Sequence, residues 1–361
     1  MKILHITESL GGGVYTYFKD LGDFILSKKY DENYENILIY SPNRKELDKQ
    51  KLKKELSKAF CLKEVLMTRE ISPYRDLIAL YKLFGLIKNL KPNIIHLHSS
   101  KAGVLGRMLS VFFPKVRVYY TPHGYSFVRE DISRCKKNFY WIIEKGMSVI
   151  FGGTTLACGD TEFNYAKNIG PAKLIRNGVQ PNKTFNFKNR INNISNREII
   201  IGTIGRISPQ KNPELFNQIA LSFPDIKFVW IGEGELKTKL TSLNINITGW
   251  LNKRQVLNIT NTFSIYIQTS LWEGLPFTIL EAMSLGKPIV ATDVIGNKDA
   301  VKNGVNGILC KNVDEFKIAI TKILSDDELE RKFSDNSINR INKEFNLELN
   351  FTKLFETYSN T

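Results

Sequence analysis

Residues 273–292 read EGLPFTILEAMSLGKPIVAT: a Gly-Leu-Pro turn, a short helical segment, a second turn at Gly286-Lys287-Pro288, and the apolar run Ile289–Thr292. Just upstream lies another short apolar run, Ile265–Gln268. Strand, helix and strand in that order make a βαβ unit, which sets the two strands parallel in one sheet with the helix on its face. Working backward, Ile199–Ile204 and Lys227–Ile231 are strand candidates of the same kind. The first half repeats the logic, with strands at Lys2–Thr7, Asn36–Tyr40, Ile94–His98, Val116–Thr121 and Leu156–Cys158, and helices at Val14–Leu26, Arg75–Leu90, Ala102–Phe112 and Phe139–Ile150. Two doubly wound α/β domains follow, in keeping with a length of 361 residues.

The boundary is placed near Val179, because Pro181–Arg197 is rich in Asn and Lys and reads as a linker or surface loop. Residues 1–178 then form one domain and 179–345 the other. Ser325–Thr361 reads as helical, with Leu347, Phe351, Leu354, Phe355 and Tyr358 spaced for one buried face, and 346–361 is expected to pack back on the first domain.

Composition narrows the function. With 42% hydrophobic and 24% charged residues the chain is an ordinary globular one. The four cysteines show no CxxC pair, so neither a disulfide framework nor a zinc site is indicated. No apolar run reaches the roughly 20 residues of a spanning helix and no signal peptide opens the chain, so a cytoplasmic protein is expected. The net charge of +15 is uneven: residues 1–180 carry 29 basic against 17 acidic side chains, and the remainder 22 against 19. A basic first half points to an anionic partner. Nucleic acid is not favoured, since no recognised module or basic-aromatic interleaving is present.

Several loops at strand ends carry chemistry. Glu8-Ser9-Leu10-Gly11-Gly12-Gly13 leads from a strand into a helix, where backbone N–H groups can meet an anion, although the G-x-G-x-x-G spacing of a dinucleotide site is missing. All four histidines, His5, His96, His98 and His123, fall in the first half. His96 and His98 alternate on one strand and read as core or supporting groups; His123, in Thr121-Pro122-His123-Gly124-Tyr125, is expected to be exposed by the proline-glycine turn. In the second half, Gly205-Arg206-Ile207-Ser208-Pro209-Gln210-Lys211 sets two cations five residues apart on a loop entering a helix, fit to clamp a diphosphate. Ile231-Gly232-Glu233-Gly234-Glu235 is another glycine turn at a strand end. Glu273 and Glu281 stand eight residues apart, one for the loop and one for the helix, and the amides of Phe277–Ile279 are expected to face phosphate oxygens.

Together, GRISPQKNP, IGEGE, the E-x7-E stretch and NGVNGIL, with GGG, HLHSSKAGVLGR, TPHGYSF and IRNGV in the first half, resemble retaining glycosyltransferase family 4 of the GT-B fold over nearly the whole chain. The resemblance implies two facing Rossmann-like domains, the first binding the acceptor and the second a nucleotide sugar, with a last helix crossing back. It implies that Arg206 and Lys211 hold the donor diphosphate, that Glu281 binds the ribose, and that Glu273 with Gly274, Leu275, Pro276, Phe277 and Thr278 holds sugar and phosphates. Gly12, Gly13, Gly205 and Glu233 join the donor site, His123 contacts the transferred sugar, and Ser100, Lys101 and Tyr125 are candidate acceptor contacts. His123, Arg206, Lys211 and Glu273 are thus the expected catalytic set. The chain departs from the family where a Gly-Gly-x-Pro-Glu-like run is usual: it reads Ile295-Gly296-Asn297-Lys298-Asp299-Ala300, with Asp299 as the stand-in acid.

With no evident nucleophilic carboxylate and no Asp-x-Asp run, front-face displacement with retention is expected, independent of metal and of any cofactor. A nucleotide-sugar epimerase of the same two-domain fold is the alternative, to be recognised by the absence of transfer to an acceptor. Many bacterial members of the family build surface polysaccharide or lipopolysaccharide on lipid-linked acceptors. The stretch Ile132–Ile150, with Arg134, Lys136, Lys137 and Lys145 among Phe139, Tyr140, Trp141, Ile142 and Ile143, suggests a peripheral contact with an anionic membrane and a polyprenyl-diphosphate-linked glycan acceptor.

Overall fold

A computed structural model describes residues 1–27, 34–42, 49–68, 70–181 and 198–360. The linker expected over Pro181–Arg197 therefore falls, apart from its first residue, outside the described residues. The chain divides into two compact units, Met1–Asn177 with Glu348–Thr361, and Gly178–Leu347.

The first unit is built on strands β1 (Lys2–Thr7), β2 (Glu35–Tyr40), β3 (Cys61–Glu64), β4 (Ile94–His98), β5 (Arg117–Thr121), β6 (Thr154–Ala157) and β7 (Ala172–Leu174). They form one parallel sheet in the order β3-β2-β1-β4-β5-β6-β7. The second unit holds β8 (Ile200–Ile204), β9 (Lys227–Ile231), β10 (Ile245–Ile247), β11 (Ile265–Gln268), β12 (Ile289–Thr292) and β13 (Gly307–Cys310), parallel in the order β10-β9-β8-β11-β12-β13. Each sheet has the Rossmann-like strand order expected of the two domains. Central strands such as IIHLH and IYIQ are buried along their whole length, which is why they carry little polar alternation beyond His96, His98 and Gln268. In the second unit Phe216, Phe228, Trp230, Ile265 and Ile267 fill the space between sheet and helices, each contributing about 1.5–3 kcal/mol by burial.

In each sheet the strand order reverses beside the first strand, between β1 and β4 and between β8 and β11. Loops diverge there, leaving a crevice at the carboxyl ends. The tail read as helical from Ser325 is two helices, Asp327–Lys343 and Leu347–Ser359. At the break, Val179 N–H donates to Phe345 O (2.9 Å) and Leu347 N–H to Val179 O (3.2 Å), tying together the two passages of the chain. The last helix packs into the first unit: Phe351 lies against Tyr17, Phe355 against Phe24, and the Tyr358 hydroxyl 2.6 Å from His96 Nδ1.

Candidate functional site

The crevice of the second unit gathers most of the expected donor residues. After β8, Gly205 and Arg206 begin the loop, and a single helical turn, Pro209–Lys211, brings the Lys211 side chain back over it. Lys211 Nζ lies 2.7 Å from Glu273 Oε1, a half-buried ion pair joining the loops after β8 and β11. The same Oε1 accepts from Ser270 Oγ (2.7 Å) and Gln268 Nε2 (2.9 Å). Oε2 receives one long bond, 3.3 Å from Gln210 Nε2. One carboxylate oxygen is therefore saturated by three donors while the other keeps lone-pair capacity for a hydroxyl. Gln210 also donates to Trp272 O, and Thr269 Oγ1 to Lys211 O, so the two loops hold each other in place.

Gln210, Gln268, Thr269 and Ser270 were not singled out in the sequence. Gln268 could have been: a polar residue ending an apolar strand at the carboxyl edge of a parallel sheet stands where ligands bind.

Two glycines set the backbone of this site. A Cβ on Gly232 would come 2.1 Å from Gly205 O, so the IGEGE turn packs directly on the loop carrying Arg206. Gly296, with φ +84°, lies where a Cβ would come 2.0 Å from Gly274 O, and Glu273 N–H donates to Ile295 O at 3.1 Å. The departing segment Ile295–Ala300 thus buttresses the Glu273 loop. Asp299 within it is buried, and its carbonyl accepts from Arg340 Nη2 at 3.1 Å.

The helix Phe277–Ser284 starts at Pro276 with no side-chain cap. Ile279 N–H donates to Pro276 O, which corrects the expectation that three amides face a ligand. Those of Phe277 and Thr278 have no hydrogen-bond partner among the described residues, and Thr278 Oγ1 is buried without one. Gly274 is half-buried before the helix, and Leu275 is packed inside. Glu281, half-buried on the helix, lies 3.9 Å from Lys253, and Glu233 pairs with Lys237 at 3.2 Å. Arg206 is half-buried on its loop.

In the first unit, Gly12 and Gly13 are exposed at the start of the helix Gly13–Leu26. His123 is not presented to solvent as expected. Its φ of +53° turns the half-buried ring inward, with Nε2 3.0 Å from His98 Nδ1 and Tyr17 edge-on at 5.1 Å. Burial pushes its pKa down to about 4. The expected acceptor contacts fare differently. Ser100 Oγ bonds Ser126 Oγ. Lys101 is buried in a 2.6 Å ion pair with Asp76, and Tyr125 is a packing residue stacked on Phe127; interior positions do not suit either for an acceptor.

The basic-aromatic stretch forms the helix Arg134–Phe151, capped by Ser133, and its polarity is inverted. Glu144, Met147 and Ser148 face inward, where Glu144 meets Arg107 (2.7 Å) and the Tyr120 hydroxyl (2.8 Å), while Phe139, Trp141, Ile142, Val149 and Ile150 are exposed. No described helix is long and apolar enough to cross a membrane.

Residues 184–340 match the model of the glycosyl transferases group 1 family. Over 324 residues, covering 81% of each chain, the protein is 31% identical to the Escherichia coli UDP-Gal:alpha-D-GlcNAc-diphosphoundecaprenol alpha-1,3-galactosyltransferase. It is 23% identical to the Staphylococcus aureus capsular polysaccharide biosynthesis glycosyltransferase CapM, over 81% of this chain and 83% of that one. Among solved structures, Anabaena Alr3699/HepE in complex with UDP-glucose superposes with a TM-score of 0.76 over the full length of both chains, at 19% identity.

Proposed function

The chain belongs to the group 1 glycosyltransferases, and from that premise we propose that it transfers a hexose from a nucleoside-diphosphate sugar, UDP-linked in the first instance, to a lipid-linked glycan in bacterial surface-polysaccharide synthesis. The observation that carries this reading is the Lys211–Glu273 pair at the crevice of the second unit, beside an uncapped helix N-terminus. Arg206 and Lys211 supply positive charge where the departing diphosphate accumulates negative charge, and the amides of Phe277 and Thr278 add the helix dipole to it. Glu273 Oε2 takes a sugar hydroxyl, and Glu281 the ribose. Glu233 and the glycine turns shape the pocket. In the first unit, Gly12, Gly13 and His123 are kept as candidate contacts to phosphates and sugar, and Ser100 as an acceptor contact.

A carboxylate with one oxygen held by three donors is a binding group rather than a free nucleophile. This favours front-face displacement: the sugar–phosphate bond breaks, the acceptor oxygen bonds the anomeric carbon from the same side, and its proton passes to the leaving phosphate. With two cations at the diphosphate, activity is expected to survive a chelator. A panel of nucleotide sugars offered with a polyprenyl-diphosphate-linked acceptor tests the reading. Transfer with retained anomeric configuration in the presence of chelator is expected; epimerised donor without transfer, inverted product, or dependence on manganese would overturn the corresponding part.

The exposed apolar side chains of Arg134–Phe151, alongside Arg134 and Lys136, support a peripheral position on the inner face of the cell membrane, since apolar groups turned outward on a basic surface gain from an anionic interface. Binding to anionic liposomes at low salt and release at high salt are expected; indifference to such liposomes would defeat this part.

A further inference from the structure

We propose that His5, His98 and His123 form a directional relay whose proton positions are set from Asn36, and that His98 is a positioning residue holding His123 with an Nδ1 lone pair turned away from the relay. The inference rests on the reading of His123 as a contact to the donor sugar only for its consequence, not for its geometry.

The three rings come from the end of β1, the end of β4 and the turn after β5. His5 Nδ1 lies 3.1 Å from His98 Nε2, and His98 Nδ1 lies 3.0 Å from His123 Nε2. Phe18 and Phe60 stand edge-on to His5, and Phe18 edge-on to His98 at 4.7 Å. In this apolar setting burial keeps all three rings neutral near pH 7. A neutral imidazole has one N–H and one lone pair. Because His98 uses both nitrogens on neighbouring rings, it must donate to one and accept from the other. The two hydrogen bonds therefore run in the same direction along the relay, and fixing the proton on any ring fixes all three.

The direction is decided at the inner end. Asn36 on β2 pairs in register with Ile3, so its side chain shares a sheet face with His5, two residues on. Asn36 Nδ2 donates to Tyr34 O, which leaves Oδ1 as the amide atom in need of a donor. Asn36 Oδ1 and His5 Nε2 are both buried on the same face of the sheet without a hydrogen-bond partner, and the relay pairs them, with His5 Nε2–H as the donor and Asn36 Oδ1 as the acceptor. With its proton on Nε2, His5 accepts at Nδ1 from His98 Nε2–H. His98 then accepts at Nδ1 from His123 Nε2–H, and His123 keeps its lone pair on Nδ1. His96 stands outside the relay. Its nitrogens are spent on Tyr358 and Thr121, so the close grouping of His5, His96 and His98 is a hydrogen-bonded cluster rather than a cation cage. The consequence for transfer is that His123 accepts from a hydroxyl of the donor sugar, and a sugar lacking that hydroxyl is discriminated against.

Nitrogen-resolved NMR of the histidine rings in the full chain tests this at neutral pH. The expected result is the Nε2–H tautomer at His5, His98 and His123 alike. The Nδ1–H form at His123, or an even mixture, would overturn the proposal. Asn36→Leu removes the inner acceptor and is expected to move the His123 proton toward Nδ1; an unaltered His123 in the folded variant would show that the rings are not coupled. If Asn36→Leu does not fold, His5→Phe, which suits the pocket of Phe18 and Phe60, serves the same purpose with the same two outcomes. Turnover of His123→Ala separately tests the sugar-contact reading: native tautomers with undiminished turnover in that variant would leave the relay standing and remove its assigned role.

Discussion

The two units share a topology, and they use the point where strand order reverses in opposite ways. In the first unit, the helix Ser100–Ser110 that follows β4 has its N-terminus filled from within the chain: Glu8 accepts from Ala102 N–H (3.0 Å), Lys101 N–H (3.4 Å) and Ser99 Oγ (2.7 Å). In the second, Glu273, which lies on the loop after β11 itself, is drawn to Lys211 and its neighbours, and the helix Phe277–Ser284 is left without a side-chain cap. A helix N-terminus attracts one anion. Where the protein supplies its own, as Glu8 does for Ser100–Ser110, that helix N-terminus is filled from within; where it does not, the donor's phosphates are the proposed partner. Fold alone does not assign the nucleotide to one unit; the distribution of carboxylates supports the proposed assignment to the second.

Arg206 carries the largest expected effect. Arg206→Ala is expected to lower turnover by roughly 10²–10³ while the circular-dichroism spectrum is unchanged, because it removes charge stabilisation of the leaving group. A variant with more than about half of wild-type turnover would contradict the assignment of the diphosphate to this crevice.

The buried imidazoles of the first unit give the next effect. His5 is pushed down to about 3 and His123 to about 4, in each case by burial first, against a usual value of 6.5. Between those values the unfolded chain binds more protons than the native one. Their contribution is therefore fully present above about pH 6.5 and is lost as pH falls toward the native values. The melting temperature is expected to fall over that interval, and less steeply in His5→Phe. An equal slope in the two proteins would mean that His5 is not among the groups responsible.

Glu8→Ala is expected to cost about 1–2 kcal/mol in urea unfolding, the scale of losing a helix cap, with donor affinity unchanged. A large loss of donor affinity would show that the N-terminus of the helix Ser100–Ser110 also holds phosphate.

Much of this was legible in the sequence because it is local. Strands buried on both faces, such as β4 and β11, announce themselves as apolar runs; the edge strands β3, β7 and β10 are short and half-solvated, and give no such signal. The Arg206–Lys211 loop and the Glu273–Glu281 stretch are contiguous motifs, so their placement could be anticipated. What could not be read depends on partners far apart in the chain. Glu8 reaches a helix more than 90 residues away. His123 is turned inward by His98, 25 residues upstream. The helix Arg134–Phe151 shows its periodicity plainly, yet periodicity does not say which stripe faces the sheet. Arg107 settles that by taking Glu144 inside and leaving Phe139, Trp141 and Ile142 outside.

The central claim, that the second unit's crevice receives the nucleotide diphosphate, is tested most directly by calorimetric titration of UDP into the full-length protein and into folded Lys211→Ala. The wild type is expected to bind, and the variant to bind roughly ten- to a hundredfold more weakly, the loss of one charge-assisted contact. Equal affinity in the two proteins would contradict the claim.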